Sequence, residues 1–405
     1  MRESKQKTKS FISSSDPAAI TSETPLETLN LDWTERELPE SARTRHVHRL
    51  HPYLGKFIPQ LVEVFLRKYF VSGQIVIDPF SGSGTTLVQA NEMGINAVGC
   101  DISQFNVILG RVKTARYNLD RLHHELFDVL RQSEGQQIDS FHDLPLFQHL
   151  QPVKPQLLTT DDDYLKRWFA PRALHELLSY RAAIERGSYQ YFEVMYIILS
   201  RAARSARLTP HYDLDFPKKP QTEPYWCYKH RRICQPTEEA GKFLRRYTQD
   251  TYQRIEAFDR LRTNAAVEIH HADSRSFDFP CADGVITSPP YVGLIDYHEQ
   301  HAYAYHLLGF PDKRDAEIGA AASGSGKKAR EAYQQGMIDV FTNVLRALPN
   351  GGRLIVIAGD RHNLYPVIAE RLGVETEAIL KRHVNRRTGR RSSEFYESIF
   401  VWKKA

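Results

Sequence analysis

The chain has 405 residues, of which 41% are apolar and 25% charged, with a formal net charge of +5. That is long enough for one large or two ordinary domains with a sizeable core, and the bulk charge is too small to announce a nucleic-acid partner, so its distribution must carry that case. Four cysteines (Cys100, Cys227, Cys234 and Cys281) exclude a disulfide framework, and no apolar run is long enough for a membrane span or a signal-peptide core, so a cytoplasmic protein without a membrane partner is expected.

Residues 1–30 are rich in Ser, Thr, Lys and Glu and are expected to form a disordered tail, with order beginning near 31–33. Residues 58–70 carry apolar side chains at helical spacing, with Pro59 suited to a first turn. Residues 74–78 form a short apolar run ending in Asp78, the pattern of a buried parallel strand. A glycine-rich turn (79–86), a helix (87–93) stopped by Gly94, and a second strand (97–100) ending in Asp101 complete a βαβ unit. Helical patterns dominate 105–265, for example at 164–168, 173–184 and 192–206, and a basic, aromatic loop (210–236) interrupts them. Strands are predicted again at 266–270, 284–287, 353–358 and 395–402. The domain is therefore α/β, built from 31–110 and 265–405 and split by a helical insertion at 111–264. No internal repeat is present.

The glycine turn selects among ligands. Gly82 and Gly84 permit φ > 0 and close approach of a ligand, and the helix behind them offers unpaired N–H groups. The third glycine of a dinucleotide fingerprint and the Gly-Lys pair of a phosphate loop are both missing. Asp78 beside the turn repels phosphate and favours an ammonium group. An amino-acid head group carries both charges needed, and Asp101 is positioned for ribose hydroxyls. A methionine-plus-nucleoside ligand fits both ends and needs no metal. The bland alternative is that Asp78 only caps the turn.

The run Asp78-Pro79-Phe80-Ser81-Gly82-Ser83-Gly84-Thr85-Thr86 resembles the cofactor motif of amino-group DNA methyltransferases. Thr287-Ser288-Pro289-Pro290-Tyr291 resembles their catalytic motif, and 51–57, which contains Tyr53 and Lys56, is similar to a segment preceding the cofactor motif in part of that group. The resemblance covers roughly 45–105 and 265–402 and omits the insertion. It implies a Rossmann-like class I methyltransferase fold, with a doubly wound, mostly parallel sheet and a C-terminal antiparallel hairpin. It also implies S-adenosyl-L-methionine as cofactor, held by Tyr53, Lys56, Asp78, Phe80, Gly82, Ser83, Gly84, Thr85, Thr86, Asp101 and Asp273. Duplex DNA is the implied partner, together with a cognate restriction endonuclease encoded nearby. Serine at position 288 favours cytosine N4 within the family. Adenine N6, an RNA base, or an inactive DNA-binding protein on the same fold are the alternatives.

The catalytic motif suits amine chemistry. An exocyclic amine conjugated to a base is a poor nucleophile, and acceptors for its protons let the lone pair turn toward a methyl donor. Ser288 Oγ and the Pro289 carbonyl are such acceptors, Pro289 and Pro290 remove two N–H donors and stiffen the wall, and Tyr291 offers a stacking face. A cytosine-C5 mechanism needs a Pro-Cys nucleophile at the carboxyl end of a strand, whereas Pro280-Cys281 precedes one.

Lesser candidates follow. Asp273 sits where the family binds adenine, or it caps a strand. Asp296 and Tyr297 follow the catalytic loop. Cys227, His230 and Cys234 have metal-like spacing, but structural zinc takes four ligands and usually a second close pair, and only His211 lies nearby, so no metal is expected. The basic and aromatic residues at 225–232 suit phosphate contact and base stacking. A basic hairpin is expected at 381–391 and a mobile loop at 319–330.

Overall fold

In the computed structural model, the described residues are 13–135, 157–215, 217–293, 296–384 and 395–405. Four helices alternate with the first two strands: α1 (Glu40–Arg43), α2 (Pro59–Tyr69), β1 (Ile75–Asp78), α3 (Thr85–Glu92), β2 (Asn96–Asp101) and α4 (Gln104–Thr114). The insertion holds α5 (Leu119–Gly135), α6 (Asp163–Trp168), α7 (Pro171–Arg186), α8 (Phe192–Ala206), a hairpin of β3 (Tyr225–Cys227) and β4 (Arg232–Cys234), and α9 (Gly241–Asp259). The chain then resumes the sheet with β5 (Val267–His271), β6 (Gly284–Thr287), α10 (Tyr297–Gln300), α11 (Ala302–Leu308), α12 (Lys327–Ala347), β7 (Arg353–Ala358), α13 (Tyr365–Leu372), β8 (Glu375–Val384) and β9 (Phe395–Lys403).

Seven strands form one sheet in the order β5-β2-β1-β6-β7-β9-β8. The first five are parallel, and β9 runs antiparallel to both β7 and β8. This is the Rossmann-like class I methyltransferase architecture with its antiparallel hairpin. From β1 the chain builds outward on one side and then returns to place β6 on the other, so a topological switch point lies between β1 and β6. Successive side chains point to opposite faces. Val76, Ile286, Ile355 and Ile357 pack with α2 on one face, and Ile77, Val285, Leu354 and Val356 pack with α12 and α13 on the other. The apolar runs read in the sequence are strands buried on both sides.

One expectation about organisation changes, and one boundary shifts. Residues 13–30 are ordered: turns at Pro17–Ala19 and Leu26–Thr28 lead to Ile20, Leu31 and Trp33, which are buried in the α2 layer, and Trp33 Nε1 donates to the Ser15 carbonyl at 2.9 Å. Apolar residues too sparse to form a core of their own gain burial by docking on an existing one; residues 1–12 lie outside the described residues. The insertion is helical as expected but shares one core with the main domain, where Leu174, Ile198 and Leu244 join Phe105, Leu109 and Tyr303. Helix α4 straddles the expected boundary at 110–111. The 319–330 stretch consists of turns up to Gly326, after which α12 begins, and the Gly293 N–H donates to the Gly319 carbonyl at 3.0 Å. Residues 385–391 of the expected basic hairpin lie outside the described residues.

Candidate active site

The carboxyl ends of β1, β2 and β6 open into a cleft lined by Tyr53, Phe80, Asp101, Asp273 and Ser288, the place where open α/β sheets bind ligands. Its floor is the glycine turn. Gly82 has φ +47°, and a Cβ there would lie 3.1 Å from Tyr53 Oη, so the position takes glycine for both conformation and space. Gly84 caps α3 at φ +75°, and a Cβ there would lie 3.3 Å from Gly110 Cα. Gly84 therefore serves the α3–α4 crossing and does not line the cleft.

Asp101 closes β2 and faces the cleft. Its carboxylate accepts from the N–H of Gly82 and of Ser103, both at 2.8 Å, and from Asn106 Nδ2 at 3.1 Å. Burial still pushes its pKa up to about 6. Asn106 Nδ2 also donates to Tyr53 Oη at 3.2 Å, joining the segment before the first strand to the end of the second. Lys56 Nζ donates to the His48 carbonyl at 2.6 Å, and burial lowers its pKa to about 8. Phe80, Ser83 and Thr85 complete the predicted wall. Asp273 lines the cleft and also caps the end of β5: its Oδ1 accepts from the Arg275 N–H at 2.9 Å, and its two oxygens receive the Arg275 guanidinium.

Asp78 departs from expectation. It is fully buried and does not line the cleft. Its Oδ1 accepts from Thr287 Oγ1 at 2.6 Å and from the Phe80 N–H at 3.2 Å. Thr86 Oγ1 donates to the Ile286 carbonyl at 3.2 Å and is likewise buried away from the cleft. Both side chains tie the cofactor turn to the strand that delivers the catalytic motif. Burial pushes the Asp78 pKa up to about 6.

The catalytic motif divides between two cavities. Ser288 and Pro290 line the cleft, while Tyr291 lines a neighbouring cavity with Gly359, Tyr365 and Phe395. Pro289 is buried between them. The Pro290 carbonyl accepts from Tyr333 Oη at 2.9 Å, and Tyr333 Oη lies 2.7 Å from Tyr365 Oη. Tyr291 Oη donates to Glu397 Oε1 at 3.0 Å, and Glu397 Oε2 accepts from Arg382 at 2.9 Å. The loop is thus held from β8, β9, α12 and α13. Asp296 accepts from the Glu299 N–H at 2.8 Å and so caps α10. Cys281 is exposed before β6, away from the cleft.

Four cleft-lining side chains keep a buried polar atom without a partner: Ser81 Oγ, Ser83 Oγ, Asn106 Oδ1 and Glu317 Oε2. Orphaned polar atoms gathered at one cavity mark a ligand that supplies their partners. The mixture of acceptors and hydroxyls beside an acid at a strand end suits a ligand with an amino-acid head and a ribose. Sequence reading missed Asn106 and Glu317. Asn106 had a signal, since it lies on the first turn of the helix after Asp101; Glu317 had none.

A family model described as DNA methylase, for methylation at N6 or N4, matches residues 2–108. Type II methyltransferase M.MjaII of Methanocaldococcus jannaschii is 38% identical over 433 aligned positions, covering 90% of this chain and 82% of that protein. This chain belongs to the amino-group DNA methyltransferase family. S-adenosylmethionine is its cofactor, and the cleft fits it. Type II methyltransferase M.BsoBI of Geobacillus stearothermophilus is 22% identical over 294 positions, covering 69% of this chain and 56% of that protein. An rRNA methyltransferase, aviRa of Streptomyces viridochromogenes, overlays 92% of this chain and 96% of its own at 12% identity, with a TM-score of 0.35. Among the described residues, no helix of this DNA methyltransferase is long and apolar enough to cross a membrane.

Proposed function

We propose that this DNA methyltransferase modifies the exocyclic N4 of cytosine in duplex DNA, as the modification partner of a restriction endonuclease encoded nearby. The observation that carries the reading is the division of the 288–291 loop, with Ser288 and Pro290 on the cofactor cleft and Tyr291 on the cavity beside it. A base in the second cavity would meet the cofactor's reactive end across this loop. Serine at 288 supports cytosine, through the family tendency, and the type II naming of the relatives supports a restriction context.

The bound cofactor supplies an electrophilic methyl group on a sulfonium. The remaining work falls to the chain. Ser288 Oγ and the Pro289 carbonyl accept the amine protons as the lone pair turns. Rotating the base out of the duplex costs a few kcal/mol, and stacking on Tyr291 returns about 1–3 kcal/mol of it. Glu397 and Tyr333 hold the ring and the loop so that this ordering is done before the base arrives. Asp101 would take the ribose hydroxyls, and Asp273 and Phe80 the adenine. Asp78 and Thr86 act as positioning residues through Thr287 and Ile286. The insertion would choose the DNA sequence, with the exposed Trp226 and Tyr228 beside Lys229, Arg231 and Arg232 as its contact surface.

Transfer of tritiated methyl to DNA and to RNA, followed by product digestion and mass spectrometry, tests the reading. N4-methylcytosine in DNA is expected; N6-methyladenine or a labelled RNA base overturns the assignment of the substrate. Ser288→Ala should lower kcat tens- to about a thousand-fold, by analogy with loss of one oxyanion-hole donor, with little change in DNA affinity. Tyr291→Ala should also reduce the extrusion signal of a 2-aminopurine placed beside the target. Parental methylation by Ser288→Ala would show that the active site is elsewhere.

A further inference from the structure

A second constellation lies in the insertion, and none of its members lines the cleft or the cavity beside it. Strands β3 and β4 pair Tyr225 with Cys234 and Cys227 with Arg232. Tyr225, Cys227 and Cys234 therefore share one buried face, while Trp226 and Ile233 are exposed on the other. His230 sits in the connecting turn. The Arg231 N–H donates to the Cys227 carbonyl at 2.7 Å, with Arg231 in the left-handed region at φ +52°, and this curl brings His230 back over the thiols. His211 comes from the segment after α8, and its backbone N–H donates to Tyr225 Oη at 3.0 Å.

The four ligand atoms converge. His230 Nδ1 lies 3.6 Å from Cys227 Sγ and 3.4 Å from Cys234 Sγ, and His211 Nδ1 lies 4.0 Å from Cys227 Sγ. All four lie within 4.8 Å of one another. Zinc bonds of about 2.3 Å to sulfur and about 2.0–2.1 Å to nitrogen, set at tetrahedral angles, separate S from N by about 3.6 Å. Hydrogen bonding alone explains the cluster poorly, because one Nδ1 has a single proton or a single lone pair and could serve two thiols only through a shared, weaker three-centre bond.

Stability points the same way. The hairpin's strands have three residues each, and its own buried cluster is Tyr225, Cys227 and Cys234. A two-stranded hairpin of that size is marginal in water and is commonly stapled by a metal or a disulfide. A disulfide would account for the cysteines but not for two imidazoles converging on them.

We propose that His211, Cys227, His230 and Cys234 bind one structural zinc ion that staples the hairpin to the segment after α8. Two thiolates balance the charge of the ion. Thiolate and imidazole ligands suit zinc and exclude magnesium or calcium. The expectation of no metal rested on the lack of a second close pair, with only His211 nearby; His211, sixteen residues before Cys227, supplies the fourth ligand without one.

The test uses the full chain, expressed with zinc and purified reduced without chelator. Elemental analysis should find about one zinc per chain, the single tetrahedral site proposed. Protein stripped of zinc and given cobalt(II) should develop the intense visible bands of a tetrahedral site together with thiolate-to-cobalt charge transfer. That signature separates this site from the other ligand-like cluster, His46, His48 and Glu92, which has no thiol. Cys234→Ser and His211→Gln should each reduce bound zinc to a trace while far-ultraviolet circular dichroism stays parental. Reduced parental protein that takes up neither zinc nor cobalt overturns the proposal, as does full zinc retention by both variants. None of these readouts involves methyl transfer, so they stand apart from the assignment of the catalytic reaction.

Discussion

Replacing Asp78 by Asn removes a buried charge and leaves the shape of the side chain. The carboxyl is fully buried, Oδ1 is occupied by Thr287 and the Phe80 N–H, and Oδ2 has no partner. Burial raises its pKa from an ordinary 3.8 to about 6. Between about pH 4 and 6 the folded protein keeps this proton while the unfolded chain releases it. The stability that Asp78 contributes is therefore full below about pH 4 and is lost as pH rises through about 6. A shift of about two pH units amounts to ~3 kcal/mol, all of it removed from the folded state by pH 8. Asn at 78 has no such dependence, although its new amide N–H₂ faces the place where Oδ2 was unpaired, a cost of about 1–3 kcal/mol at every pH. The expected result is a difference in unfolding free energy between variant and parent that moves by ~3 kcal/mol in favour of Asn from about pH 4 to pH 8. Urea unfolding of the cofactor-free full chain across that range, followed by circular dichroism, measures it. Titrating groups that do not interact with Asp78 cancel in the difference; Asp101, whose charge raises the Asp78 pKa, is relieved by the substitution and adds in the same direction. A pH-independent difference would refute the burial argument for Asp78.

Two further outcomes can be checked by binding. A cofactor hydroxyl donating to Asp101 favours the charged carboxylate, so cofactor affinity should fall as pH drops through about 6. Asp101→Asn should weaken binding by about 1–3 kcal/mol and flatten that slope in calorimetry, whereas unchanged affinity would remove Asp101 from the site. Neutralising Arg231 and Arg232 should weaken DNA binding and lower the salt slope by about two, and an unaltered slope would mean that neither arginine meets a phosphate.

Local sequence determined much of this protein. The short apolar runs ending in Asp78 and Asp101, with glycines between them, specify a βαβ unit, because burial on both sheet faces demands uninterrupted apolar residues and the turn demands positive φ. The loop Ser288–Tyr291 was legible as a candidate for the same reason: the proposed chemistry lies in four consecutive residues. Tertiary structure decided what depends on distant partners. Asp78 reads as a ligand in the sequence, yet Thr287, 209 residues away, turns it inward. Tyr291 and Pro290 are neighbours that line different cavities, the Tyr291 hydroxyl held by Glu397 from β9 and the Pro290 carbonyl by Tyr333 from α12. Residues 13–30 lack the apolar density to order themselves and are held by a core built elsewhere. His211 joins Cys227, His230 and Cys234 only after the segment following α8 folds against Tyr225. Periodicity and turn chemistry act within a few residues, whereas burial and convergent side chains depend on which segments the folded chain brings together.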